Sequence, residues 1–262
     1  MQVTDKTYQE HHVFNELQRY MDFYEQLSMS VFSFATIGTQ AACNIDTYVY
    51  SSMQGTVESI KTILLTGRIN DAYALLRKYY DSAAINIYSN LYLKNKFSIE
   101  SLIVEEINNW LQGKKKLPEY RVMSRYIKSS EVLKPINEVF GIDDRYKHLR
   151  ERCNDHTHYN FYRHAMLNDN KIRIENRSWW LDRLYDDVRD IFIFHLGYIF
   201  FLNSHYLMSS DYLDALECGE QPVEDSQYWV APFIQEVFDQ VITPRRPDVT
   251  AVIKTKSAMQ LS

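Results

Sequence analysis

The chain is expected to be all-α, a single helical bundle over residues 1–215 with an irregular C-terminal extension, 216–262, holding a short helix and a tail. Three observations predict it. Only 7 Gly and 6 Pro occur in 262 residues, too few for the many tight turns of an all-β fold. Hydrophobic types make up 45% and aromatic types 14% of the chain, enough to build a substantial core and too much for a solvated, disordered polyelectrolyte. Apolar residues also recur at the 3.6-residue helical period along most of the sequence.

The elements follow in order. From His11 to Phe34 the apolar positions Phe14, Leu17, Met21, Tyr24 and Leu27 mark one helical face. Ile45 to Leu65 forms a second helix, with Thr66-Gly67 as its stop. Asn70 or Asp71 caps a third, running to about Lys94 with Ala72, Leu75, Leu76, Tyr79, Ala83, Ile87, Leu91 and Tyr92 turned inward. Ser98 caps a fourth, ending at Leu111 before Gly113 and three lysines. Pro118 and Pro135 bracket a short helix around Tyr120 to Ser129 in a long connection. Asp143 caps a helix that runs through Leu149 towards Tyr159. After the turn Asn168-Asp169-Asn170, Lys171 to Glu175 reads as a brief strand. Ser178 or Asp182 opens the longest helix, through Ser209, with Trp180, Leu184, Val188, Ile191, Phe192, His195, Ile199 and Leu202 on one stripe. Ala231 to Val241 is a last short helix before a tail with Pro244 and Pro247.

Charge and composition narrow the function classes. The net charge of −5 does not announce a nucleic-acid or membrane partner. Its distribution is uneven: Lys114 to Arg152 holds eleven Lys/Arg against six Asp/Glu, a local +5 that leaves −10 elsewhere. A basic band of this kind suits a phosphate-bearing ligand, and equally a solvated helix surface. Cys43, Cys153 and Cys218 form neither a disulfide framework nor a metal knuckle and fit a reducing compartment. The N-terminus lacks a cationic start with an apolar run, and the most apolar stretch, Ile191 to Leu202, falls short of the roughly 20 residues of a bilayer span. The expected location is cytoplasmic, with no membrane contact.

Motifs for a nucleophile elbow, a Gly-rich phosphate loop, a zinc protease helix or a Glu-x-x-His di-iron bundle are absent from the sequence. Neither a metal nor a cofactor is expected. One segment concentrates chemistry, Arg145 to Phe161, containing Arg150, Arg152, Asn154, Asp155, His156 and His158. An imidazole passes protons near neutral pH, and a neighbouring guanidinium holds a phosphate or a developing oxyanion. Those are the parts needed for metal-independent RNA cleavage by a ribose 2′-OH. Asn154 or Asp155 would fix the imidazole tautomer or aim the guanidinium. Arg150, Lys147 and Arg145 would grip substrate phosphates. The competing explanation is a polar helix end bonded to its neighbours. Arg152 and His156 share a helix face, whereas Arg152 and His158 point about 120° apart and converge only through a bend or a second subunit.

The stretch Arg152-Cys153-Asn154-Asp155-His156-Thr157-His158 resembles the Arg-x4–6-His motif of HEPN domains, α-helical bundles of RNase toxins and antiphage defence proteins. The stretch Gly67 to Asp81, with Ala74, Leu75, Leu76 and Arg77, is similar to a helix of HEPN-like abortive-infection proteins. The resemblance implies a homodimer whose motif helices face each other across a cleft. Arg152 and His158 would then be the catalytic pair, with Asn154 and Asp155 as polar supports and His156 as a rival to His158. Cys153 stands where the family commonly has a polar residue.

The expected function is therefore a metal-independent HEPN-type endoribonuclease of antiphage defence or growth arrest, with RNA as substrate and an antitoxin or defence protein as a further partner. The alternative is a noncatalytic HEPN-like dimerisation or protein-interaction module, in which the motif's polar groups are tied up within the chain. A third, weaker idea places a metal on His156, His158 and a carboxylate. Arg77 and Asp81, four apart, read as a helix ion pair, His195 as a satisfied core histidine, and His11-His12 as surface. Trp179-Trp180 and the tyrosines are assigned to core and rim packing before base stacking.

Overall fold

A computed structural model describes residues 1–32, 38–39, 45–172, 174–221, 229–259 and 261. Cys43, Phe34 and Pro222 lie outside the described residues. Within them the chain is helical, without a strand: α1 (Lys6–Gln9), α2 (His12–Phe32), α3 (Ile45–Leu65), α4 (Ile69–Lys96), α5 (Glu105–Leu111), α6 (Tyr120–Lys128), α7 (Lys134–Phe140), α8 (Arg145–Thr157), α9 (Tyr162–Met166) and α10 (Arg177–Leu202). A 3₁₀ turn (Ser204–Leu207), α11 (Ser210–Glu217), α12 (Pro232–Val237), a π turn (Phe238–Ile242), α13 (Thr243–Arg245) and α14 (Pro247–Lys256) follow. Among the described residues no helix is long and apolar enough to cross a membrane.

Two compact units interleave along the chain. The first takes Met1–Ser28, Asp46–Ala83 and Asp143–Phe192; the second takes Met29–Ile45, Ala84–Ile142 and Ile193–Ser262.

In the first unit an aromatic cluster forms the centre. Tyr20 stacks on Phe192 at 4.1 Å, Phe23 meets the same ring edge-on at 4.8 Å, and the hydroxyls of Tyr24 and Tyr79 bond at 2.9 Å. The stop after α3 is where the sequence places it: Gly67 has φ +85, and a Cβ there would sit 2.3 Å from Val3 Cγ2. Among the described residues of 171–175 the expected strand is not formed. Asp169 Oδ1 accepts the N–H groups of Lys171 and Ile172 at 2.7 and 3.1 Å, an Asx turn that curls the backbone away from an extended ladder. Buried Arg177 holds the same turn by donating to the carbonyls of Asp169 and Ile172.

In the second unit Gly197 of α10 lets Phe140 of α7 approach, and Phe140 packs with Phe194 and Tyr198. His195 is a core histidine: its Nε2 faces Asn86 Oδ1 at 2.9 Å, and burial holds its pKa down at about 3. The fourth helix starts later than expected, at Glu105. The segment before it is pinned to Thr39, whose N–H donates to Leu102 O and whose Oγ1 accepts from Val104 N–H. Past Pro247, where a tail was expected, the chain forms α14, with the proline in the first turn, where its missing N–H costs nothing. α14 packs on α7, and Arg246 Nη2 donates to Val139 O at 3.2 Å.

Candidate functional site

The basic motif lies on α8, within the first unit. Tyr146, Leu149, Cys153 and His156 form its buried stripe at spacings of three and four, and this register decides the fate of every candidate beside it. Asp143, the expected cap, lies one residue before the N-cap position, which Asp144 holds without a side-chain cap bond; Asp143 Oδ1 accepts the N–H of Arg145 at 3.1 Å. The other end closes with a Schellman arrangement, in which Asn160 N–H bonds Asp155 O and Tyr159 N–H bonds His156 O. Tyr159 occupies the left-handed position at φ 49, the single non-glycine residue there among those described.

Arg152 flanks the stripe. Its Nε donates to Asp187 Oδ2 at 3.0 Å and its Nη2 to Asp187 Oδ1, a bidentate pair joining α8 to α10. Asp187 also accepts from Tyr73 OH at 3.3 Å and has Arg183 Nε at 3.9 Å. Burial raises its carboxyl above the ordinary range, and Arg152 works against the rise. Asn154 points towards α4, where Arg77 Nη1 donates to its Oδ1. That bond ties α8 to α4, and Arg77 also forms the expected ion pair with Asp81 on its own helix, at 3.0 Å. Asp155 accepts from Asn160 Nδ2 at 2.7 Å, and its carbonyl faces His164 Nδ1 at 3.1 Å.

His156 is placed in the core, 1% exposed. Its Nδ1–H donates to Asn70 Oδ1 at 2.9 Å, and its ring is sandwiched between Tyr73 and His164, each 3.9 Å away, with Trp180 edge-on. Burial, reinforced by His164 and nearby arginines, lowers its pKa to about 3. It is neutral at physiological pH and out of reach of substrate. His158 takes the opposite position, exposed at the C-cap of α8. Arg145 is engaged by Asp143 and by Asp190, whose Oδ1 lies 3.0 Å from Nη1. Lys147 is exposed and Arg150 half-buried. Cys153, after Arg152, is buried, which pushes its thiol pKa up.

The chain thus brings together Arg152, Asn154 and His156 with α4 and α10 as anchoring groups, and leaves His158 apart from them at the helix end. The metal set of His156, His158 and a carboxylate is not assembled among the described residues. His11, expected at the surface, is 9% exposed with its Nε2 3.1 Å from Asp182 Oδ1; His12 is exposed as expected.

Sequence reasoning passed over Asp187, Tyr73 and His164, and named Asn70 only as a helix cap, not as the partner of His156. A signal for Asp187 was present: it lies three after Leu184 and four before Ile191, on the apolar stripe of α10. It also passed over an aromatic rim beyond α8. Tyr159, Phe161, Tyr162 and Trp179 are between 48% and 83% exposed. Arg163 links Phe161 to Trp179, its guanidinium 5.0 Å from the Phe161 ring and 5.6 Å from Trp180, which touches Trp179 at 4.7 Å. Comparison of the chain with protein-family models, with curated proteins and with solved structures gives no match.

Proposed function

We propose that this chain is a noncatalytic, HEPN-like helical module for dimerisation or protein interaction, contacting its partner through the aromatic rim beside α8. The observation that carries this reading is the engagement of the motif itself. Arg152, Asn154, Asp155 and His156 each have a partner within the chain, and three of those ties hold α8 against α4 and α10. A catalytic guanidinium has to exchange partners with the phosphate. Arg152 would have to leave a buried carboxylate uncompensated to do so. The rim supplies Trp, Tyr and Arg, the side chains that dominate binding energy at protein interfaces.

A second reading, the HEPN-type endoribonuclease, keeps support from His158, which is exposed, and from Arg152, whose side chain retains 22% exposure. Both reach solvent, and a second subunit could bring another His158 to Arg152. The separating experiment is incubation of purified protein with structured and unstructured RNA in the absence of metal. The module reading expects no cleavage. Cleavage lost in His158→Ala, with an unchanged melting curve, would overturn it in favour of the nuclease. His158 is the informative position because its side chain is exposed, whereas Arg152→Ala also orphans Asp187.

A further inference from the structure

The start of α2 and the first turns of α10, both in the first unit, bring two imidazoles and a carboxylate to one point. His11 Nε2 lies 3.1 Å from Asp182 Oδ1, and His12 Nε2 lies 3.6 Å from the same oxygen. The three donor atoms all lie within 4.8 Å of one another. A tetrahedral ion with ligand bonds of about 2.0–2.2 Å separates adjacent ligand atoms by about 3.3–3.6 Å; the His12–Asp182 separation of 3.6 Å meets that spacing and the His11–Asp182 separation of 3.1 Å falls a little short of it. We propose that His11, His12 and Asp182 form a three-ligand site for a first-row transition-metal ion of the zinc or nickel class, with its remaining positions open to water. The site shares no residue with α8 and stands or falls independently of the module reading.

The donor set selects the class of ion. Two imidazoles with one carboxylate suit zinc, nickel, copper or iron, whereas calcium and magnesium require oxygen ligands. Access is available, because the side chains of His12 and Asp182 are 53% and 54% exposed. The rings are held before any ion arrives. They stack on each other at 4.1 Å, and Tyr185 meets His12 edge-on at 4.3 Å. His11 Nδ1 accepts the N–H of Val13 at 3.3 Å and so caps α2. Burial and the neighbouring His12 disfavour protonation of His11, which keeps the ring neutral and able to ligate. The Val13 bond places the ring proton on Nε2, where it faces Asp182. Loading through Nε2 moves that proton to Nδ1, so the hydrogen bonds to Asp182 and from Val13 N–H are both given up for the metal bond.

The test is calorimetric titration of the untagged full chain with Zn²⁺ and, separately, Ni²⁺. The expected result is saturable binding of about one ion per chain, with affinity reduced more than about tenfold in His12→Ala and in Asp182→Asn. Both substitutions fall on half-exposed side chains, and matching melting curves without metal verify the fold. Zn²⁺ should raise the melting temperature of the wild-type chain and not that of either variant. Visible absorption of the Co²⁺-loaded wild-type chain at four- or five-coordinate intensity supports the site without recourse to a variant. Absence of saturable binding, or equal affinity in wild type and both variants, overturns the proposal and leaves the trio as a hydrogen-bonded cap on α2.

Discussion

Asp187, 1% exposed, accepts two N–H groups from one edge of the Arg152 guanidinium, so the residue that the motif would offer to a phosphate is the residue that neutralises a buried carboxylate. Removing one member of such a pair leaves the other uncompensated and costs about 3–5 kcal/mol. Arg152→Ala, which strands the buried Asp187 carboxylate, should therefore lower unfolding free energy by about 3 kcal/mol, read from urea titration. Asp187→Ala should cost less, because the Arg152 side chain that it leaves unpaired keeps some water. The double variant should be more stable than the sum of the single losses predicts, giving a coupling of about 1–3 kcal/mol.

The ring column of Tyr73, His156 and His164 makes stability depend on pH with a definite sign. The His156 pKa falls from 6.5 in the unfolded chain to about 3 in the folded one. As pH drops below 6.5 the unfolded state takes up the proton first, so folding loses stability until the folded pKa is reached. The slope is about 1.4 kcal/mol per pH unit for each such group. His195, also held at about 3, acts in the same direction. His156→Asn, which can still donate to Asn70, should flatten the slope of unfolding free energy between pH 6 and pH 4 by about one proton's worth. Denaturant titrations at several pH values measure it. An unchanged slope would mean that His156 titrates in contact with water.

Much of the helical framework was legible because it rests on local periodicity. Ile45–Leu65 has the boundaries that the sequence suggests, and the apolar stripe of α10 is buried along its length. The exceptions have non-local causes. α5 starts at Glu105 because Thr39 holds the preceding segment, a partner sixty-five residues away for Val104. Arg77 and Asp81 show their ion pair by spacing alone, but nothing local says that Arg77 also reaches Asn154 on another helix. The same limit applies to the candidate site. Composition gathers Arg152, Asn154 and His156 into one motif, and only the α8 stripe through Leu149 and Cys153 reveals that His156 belongs to the core and His158 does not.

Gly197 offers a check on packing in the second unit. Replacing a helical glycine with alanine ordinarily gains up to about 1 kcal/mol. Here the added Cβ would lie 2.8 Å from Phe140 Cζ and 3.3 Å from its Cε2. The ring is wedged against Phe194 and Tyr198 and cannot retreat as a flexible tip would. Gly197→Ala should therefore destabilise the chain by about 1–3 kcal/mol. A melting curve shifted downward confirms the wedge; an upward shift would show that Phe140 can move aside.

Tyr159 ties strain to the proposed surface. It closes α8 at φ 49, where glycine is the usual occupant, yet its ring is 50% exposed. The left-handed conformation costs a side-chain-bearing residue about 1–2 kcal/mol, and the one side-chain bond it receives is a 3.3 Å donation from Asn168 to its hydroxyl. Folding alone would favour glycine there. Tyr159→Gly should raise unfolding free energy by about 0.5–1 kcal/mol. If the rim is the contact surface, the same substitution should weaken self-association in sedimentation equilibrium, and Trp179→Ser should weaken it further without altering the left-handed turn. A variant that gains stability and associates as wild type does would separate the strain at Tyr159 from binding and remove the rim as the module's contact surface.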